Sequence, residues 1–189
     1  LLVTVWLNPW PEIMADMAAS PHVSGPPAID QPFPNCINDW VRAQGVPEGA
    51  HMDLSPTFNA EMPALLRECD VAVFPNRCEG GTNLVAMEAL ATGLPCVLSA
   101  NSGHLDLIGP NGGEHCYPLP RQTPVTFGPP GADHWRESDV EEIVETLEAV
   151  YQDRAEARRR GQAANAFMQD WSWRNQIGKL LSELDRLTP

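Results

Sequence analysis

Two carboxylates, Glu79 and Glu88, bracket a stretch in which adjacent glycines, Gly80 and Gly81, are followed by Thr82, Asn83 and Leu84. Residue types in this order can hold a phosphate. Glycines let the backbone approach an anion with no side chain in the way. Residues 84–92 are rich in Leu, Ala, Met and Glu, which are good helix formers. Thr82, Asn83 and Leu84 would then present the first N–H groups of a helix, which lack internal partners and sit at the positive end of the helix dipole. Glu88 would stand roughly 6–7.5 Å further along the axis at 1.5 Å per residue. Its Cα–Cβ bond tilts back toward the N-terminus, so its carboxylate can reach the ribose hydroxyls of a nucleotide whose diphosphate rests on those amides. The alternative is a tight helix connection with both carboxylates in solvent, because glycine-bearing strand-to-helix loops are common.

The flanking residues supply the elements that would position such a loop. Val71-Ala-Val-Phe74 reads as a short buried strand, and Gly93 and Pro95 close the helix. Cys96-Val-Leu98 begins another strand, which completes a βαβ unit. The loop therefore falls at the carboxyl end of a strand, where open α/β sheets bind their ligands.

The stretch Asp70-Val-Ala-Val-Phe-Pro-Asn-Arg-Cys-Glu-Gly-Gly-Thr-Asn-Leu-Val-Ala-Met-Glu-Ala-Leu-Ala-Thr-Gly-Leu-Pro-Cys-Val-Leu-Ser99 resembles the donor-site signature of retaining GT-B glycosyltransferases, glycosyl transferases group 1. That family carries a Glu-x7-Glu motif inside a strand–Glu-Gly–helix–Gly-x-Pro–strand pattern, and the resemblance extends over roughly residues 1–180. It implies a Rossmann-like three-layer α/β/α fold with a mostly parallel sheet, the C-terminal half of a GT-B enzyme, ending in a helical tail. It also implies that Glu88 holds the donor ribose and that Glu79 orients or polarises the donor sugar, as the catalytic carboxylate. The diphosphate would rest on Gly81, Thr82, Asn83 and Leu84, with Arg77 supplying positive charge or serving only at the surface. Gly80, Asn101, Ser102 and Gly103 would lie near the sugar. Pro56, Thr57 and Phe58 would lie near the base, although Phe58 reads equally as a core contact. No metal and no cofactor is implied; the nucleotide sugar is the substrate. One departure stands out. Eight residues separate Glu79 from Glu88 where the family has seven, and the extra one falls in residues 80–83. The role of Glu88 carries over more securely than that of Glu79.

Composition narrows the classes. The chain has 189 residues, 43% of them hydrophobic, enough for a core. No apolar run approaches the 18 residues of a membrane helix. Twelve Lys and Arg against 25 Asp and Glu give a net charge of −13, which argues against a nucleic-acid groove but not against a sugar nucleotide held by amides. The five cysteines are scattered without Cys-x-x-Cys spacing, so reduced thiols are expected. The expected location is cytoplasmic, with a peripheral position at the inner face of a membrane as the alternative. No secretory leader is evident, and the lack of an initiating Met suggests a fragment.

Along the chain, residues 3–7 read as a strand, 8–11 as its stop and 12–19 as a helix. Residues 20–34 are a Pro- and Gly-rich loop. Residues 35–44 form a helix stopped by Gly45, residues 51–54 a strand, and Asn59 caps a helix over 60–68. After residue 99 come a turn, a short helix bearing the lone His104, and a last strand at 112–119. Residues 120–132 read as a long, mobile loop. Ser138 with Glu141 reads as a capping box opening a helix, followed by helices at 153–168 and from Trp171 onward. The expected division is a nucleotide-sugar-binding domain at 1–137 with C-terminal helices at 138–189 packing on it. Aligned by order, residues 1–8 fall on the second strand of the family domain. The central first strand would then lie upstream, leaving sheet edges that invite a longer chain or self-association.

The expected activity is donor binding for transfer of a hexosyl group from a nucleotide-diphosphate sugar to an acceptor with retention. The acceptor, a sugar, lipid or protein, would be held mainly by an N-terminal domain, and the fragment alone would be inactive. No residue reads as a general base. Two alternatives remain: a non-catalytic sugar-nucleotide-binding module, and a nucleotide-sugar epimerase of the same architecture.

Overall fold

The computed structural model describes residues 1–5, 14–15, 17–18, 20, 23–28, 35–126 and 131–187. The end of the first expected strand, its stop at 8–11, most of the helix expected at 12–19 and parts of the 20–34 and 120–132 loops lie outside the described residues. Two compact units form, Leu1–Met62 and Pro63–Pro189.

In the first unit, strand β1 (Leu2–Thr4) pairs in parallel with β2 (His51–Asp53), in the register Leu2↔His51 to Thr4↔Asp53. Helix α1 (Asn35–Ala43) has apolar residues at helical spacing. It buries Cys36, Ile37 and Val41, with Trp40 and Val46 packed against them. Gly45 ends it at φ +91°, a backbone that a side chain resists. The helix after β2, α2 (Met62–Arg67), starts two residues later than expected. A turn holds residues 58–61 first: the Glu61 amide donates to the Phe58 carbonyl, and the Glu61 carboxylate accepts from the Phe58 amide. Asn59 contributes its carbonyl to the Met62 amide.

The second unit is built on a parallel sheet ordered β3 (Ala72–Phe74), β4 (Cys96–Ser99), β5 (Tyr117–Leu119). Every residue of the central strand β4 is buried, which explains its continuous apolar run up to Ser99. Among the described residues β3 pairs on one edge only, with β4. Helix α3 (Leu84–Ala91) makes the β3–β4 crossover and α4 (His104–Ile108) the next one. The fold is thus the Rossmann-like α/β arrangement that the sequence implied, with helices at its C-terminal end.

Helix α3 is fixed at its C-terminus by glycine geometry. Gly93 takes φ +81°, its amide donates to Leu90 O at 3.0 Å, and the Leu94 amide returns to Ala89 O at 3.2 Å. This is a Schellman closure, and the buried Leu94 supplies its apolar contact. Helix α6 (Arg154–Gln169) then crosses this turn. A Cβ on Gly161 would land on the Gly93 carbonyl oxygen, so α6 approaches at backbone contact. Asn165 donates to the last-turn carbonyl of Ala91. Arg160 reaches the other way, its guanidinium 4.4 Å over the Tyr117 ring.

Two expectations are corrected. Residues 120–132 hold strand β6 (Gln122–Pro124), antiparallel to β7 (Arg136–Ser138), instead of an irregular loop. Pro124 sits in a two-stranded ribbon, where a missing N–H is tolerated. That pairing also withdraws Ser138 from capping duty: its hydroxyl accepts from Gln122 Nε2 at 2.8 Å. Asp139, one residue on, caps α5 (Val140–Gln152) by accepting from the Glu142 amide at 2.8 Å. A carboxylate there also complements the helix dipole, so it outcompetes a serine already committed to a ladder. Helix α7 (Trp173–Leu187) ends the chain with Ile177, Leu180, Leu181 and Leu184 exposed along one face. Among the described residues no helix is long and apolar enough to cross a membrane.

Gly161→Ala is expected to destabilise the second unit by about 2 kcal/mol through overpacking against Gly93. Hydrogen exchange of the β4 amides measures this, and exchange unchanged from wild type would show the contact to be soft.

Candidate functional site

The loop between β3 and α3 lies where the sequence put it, at the carboxyl end of β3. Asn83 starts α3: it is the N-cap, extended at φ −69° and ψ 103°, and its Oδ1 accepts from the Ala86 amide at 3.0 Å. Its Nδ2 donates in two directions, to Glu79 Oε1 at 3.0 Å and to His104 Nε2 at 3.0 Å. Glu79 Oε1 also accepts from Asn76 Nδ2 at 2.6 Å. His104 is fully buried, and its Nδ1 lies 2.8 Å from Ser99 Oγ. The Ser99 hydroxyl donates to the Asn76 carbonyl at 2.8 Å. Asn76, Glu79, Asn83, His104 and Ser99 therefore close a ring of polar contacts at the ends of β3 and β4.

The donors in that ring assign the histidine tautomer. With Asn83 Oδ1 occupied by the helix, an N–H faces His104, so Nε2 accepts and the proton resides on Nδ1. Burial holds the His104 pKa below its usual value, opposed in part by its bond to the Ser99 carbonyl. Burial lifts the Glu79 carboxyl above the usual carboxylate range, while two amide donors orient one of its oxygens.

The second wall is the segment 99–103. Ser102, at φ +41°, accepts from the Glu79 amide at 2.8 Å and donates to Asn101 Oδ1 at 2.8 Å. Asn101, buried, donates to the Asn76 carbonyl and to Gln122 Oε1, each at 2.9 Å. Gly103 meets the Gly81 carbonyl so closely that a Cβ would overlap it. The structure thus brings Glu79, Gly81, Asn83, Asn101, Ser102 and Gly103 together. Gly80 and Gly81 are themselves exposed, with open space where a side chain would stand.

Around this ring the remaining predicted residues divide. The backbone amides of residues 80–85 find no acceptor among the described residues, so an anion can take them. Leu84 is 69% exposed beside them. Glu88 lies on the exposed side of α3. Arg77 spends its guanidinium on Glu137 of β7, at 2.7 Å, and its carbonyl accepts from the Arg136 amide. Pro56, Thr57 and Phe58 belong to the first unit, where Phe58 is 73% exposed and so is not a core contact. Sequence reasoning missed Asn76 and Ser99. The available signal was a polar residue at or just past the carboxyl end of each buried strand.

Two hollows lie elsewhere. The larger, about 590 Å³, is an open depression in the first unit lined by Asn35, Asn38, Arg42, His51 and Met52 among others. It holds none of the predicted residues. The smaller, about 140 Å³, adjoins the stack of His115 on Phe167, whose ring centroids are 4.1 Å apart. No group of three or more His, Cys, Asp or Glu among the described residues is arranged to hold a metal ion.

Comparison with known proteins supplies an independent view. Residues 56–180 match a family described as "Family 4 Glycosyltransferase in conflict systems". Among curated proteins none matches the chain. Among solved structures the fold is similar to sucrose-phosphate synthase from Thermosynechococcus elongatus, at 20% identity and TM-score 0.58, covering 94% of this chain and 42% of that one. It is also similar to Anabaena HepE in complex with UDP, at 18% identity and TM-score 0.57, covering 96% and 48%. HepE in complex with UDP-glucose gives 19% identity, TM-score 0.56 and the same coverages, 96% and 48%. The chain spans less than half the length of these structures, and at such identities they establish the fold alone.

Asn83→Ala is expected to cost the second unit about 2 kcal/mol, and Asn83→Ser, which restores a capping oxygen, to recover about half of that. Urea titration followed by exchange of the β4 amides distinguishes the two variants. Equal losses would mean that the cap contributes nothing.

Proposed function

The chain belongs to the family 4 glycosyltransferases of conflict systems, and from that premise we propose that its second unit carries the donor side of a sugar transfer from a nucleotide-diphosphate sugar. The observation that supports this most directly is the loop after β3: unpartnered amides at 80–85 stand beside a Glu79 carboxylate oriented by Asn76 and Asn83. As the bond to the sugar breaks, negative charge grows on the leaving diphosphate. Fixed amides need no reorganisation to meet that charge, an effect typically worth about 3 kcal/mol per donor lost. In this reading Glu79 orients the sugar and Glu88 holds the ribose. Gly80, Asn101, Ser102 and Gly103 form the sugar's surroundings. Transfer proceeds with retention and without a metal, to an acceptor held by other parts of a longer protein. The domain reading is likewise a proposal: the donor-binding fold runs to residue 137, and the helices beyond it buttress the site.

A second reading, a module that binds a sugar nucleotide without transferring the sugar, is favoured by one feature. Arg77 is engaged with Glu137, so the cationic half of a diphosphate clamp is not supplied there. Hydrolysis or transfer of the donor, abolished in Glu88→Ala, separates catalysis from mere binding. Release of an epimerised sugar nucleotide without acceptor would mark an epimerase instead.

UDP is expected to raise the melting temperature, since a ligand at 100 times its Kd stabilises by about 2.7 kcal/mol. Glu88→Ala should weaken UDP binding about tenfold by removing a charged hydrogen-bond acceptor. Glu79→Gln should leave UDP binding near wild type and abolish any further gain from the attached sugar. An unshifted melting point with every nucleoside diphosphate at millimolar concentration would defeat the proposal.

A further inference from the structure

We propose that His104 is a positioning residue of the donor site: by accepting an Asn83 amide hydrogen at Nε2, its neutral ring fixes which way that amide faces and hence where Glu79 stands. The inference rests on the donor-site reading above, which it deepens.

A side-chain amide is nearly symmetric in shape, so Asn83 can turn over at little steric cost. Only its partners choose the orientation. On one side the Ala86 amide, a donor, calls for oxygen. On the other, Glu79 Oε1 at 3.0 Å calls for N–H. The amide's second hydrogen points into the interior, where Asn83 is only 7% exposed. Left without an acceptor there, it would carry a full desolvation cost, and the turned-over amide would compete. His104 Nε2, 3.0 Å away, is that acceptor.

The ring is in turn unable to rotate. It is fully buried, and its Nδ1–H faces both Ser99 Oγ at 2.8 Å and the Ser99 carbonyl at 3.2 Å. The Ser99 hydroxyl donates a hydrogen bond to the Asn76 carbonyl, and the Asn76 side chain donates an N–H to the same Glu79 oxygen. One carboxylate oxygen is therefore held from two sides by amides, and both trace back to Ser99 and His104. Among the described residues the imidazole bonds to Asn83 and Ser99, and through Asn83 it is linked to Glu79. His104 touches no reacting atom and acts only through Asn83.

The first test needs no variant. Long-range 1H–15N correlation on the labelled chain at pH 7.5 should show His104 neutral with its proton on Nδ1. A proton on Nε2, or a charged ring, overturns the proposal. The second test compares His104→Gln, whose Oε1 can replace Nε2 as acceptor, with His104→Met, which matches it in length but accepts poorly. UDP is the probe, read by calorimetry. Glutamine should keep UDP affinity within about threefold, and methionine should lose about tenfold, the worth of one hydrogen bond. In an Asn83→Ala background the two variants should bind UDP equally. A role confined to packing would lower both melting points without separating the affinities, and that result overturns the proposal. If wild type binds no UDP, the donor-site reading fails, while the tautomer and the exchange protection of the Asn83 side-chain amide still decide the inference. If His104→Met does not fold, the wild-type tautomer and the glutamine variant carry the decision.

Discussion

One carboxamide bears more of this structure than any other group. Asn83 uses its oxygen to start α3 and its two hydrogens to hold Glu79 and engage His104. The same side chain therefore sets the helix whose amides face outward and the carboxylate that stands beside them. A helix N-terminus attracts anions only if its first turn is rigid and its amides stay free. A capping side chain secures the first condition, and it consumes only the Ala86 amide. The far end of α3 is held independently, through Gly93 and its backbone contact with Gly161.

The charge balance sharpens what such a site can use. The chain is strongly acidic, and Arg77 is paired with Glu137. In the proposed reading, phosphate would be held by oriented N–H dipoles rather than by a cationic cluster. Dipoles fixed in place stabilise charge without drawing a protein into nonspecific contact with nucleic acid, which an acidic surface also disfavours. The packing of Gly103 on Gly81 adds a steric condition. Any side chain at Gly103 would push the loop away from the Ser99–Gly103 wall and break the Ser102 bond to the Glu79 amide.

Much of this was legible in the sequence, for local reasons. The strand at 72–74, the helix from Leu84, its glycine stop and the buried strand from Cys96 follow from short-range pattern and turn chemistry. The resemblance to the glycosyltransferase signature pointed to Glu79, Gly81 and Asn101 to Gly103, and the structure places these residues beside one another. What escaped depends on partners distant in sequence. Ser138 looks like a cap until Gln122 claims its hydroxyl, and residues 122–124 look like loop until β7 pairs with them. Arg77 looks like a phosphate ligand until Glu137, 60 residues on, is seen to hold it. His104 looked like a lone histidine because Asn83, 21 residues before it, becomes its neighbour only when α3 packs beside β4.

The central claim is that the amides opening α3 are an anion site for a nucleoside diphosphate, and it is tested most directly by mapping. Backbone amide shifts of the 15N-labelled chain would be followed during titration with UDP. The account predicts the largest changes at residues 80–85, with secondary ones at Glu79 and Ser102. Changes concentrated instead around the open depression of the first unit, near Asn38 and His51, would contradict it, as would no change at residues 80–85 at saturating UDP.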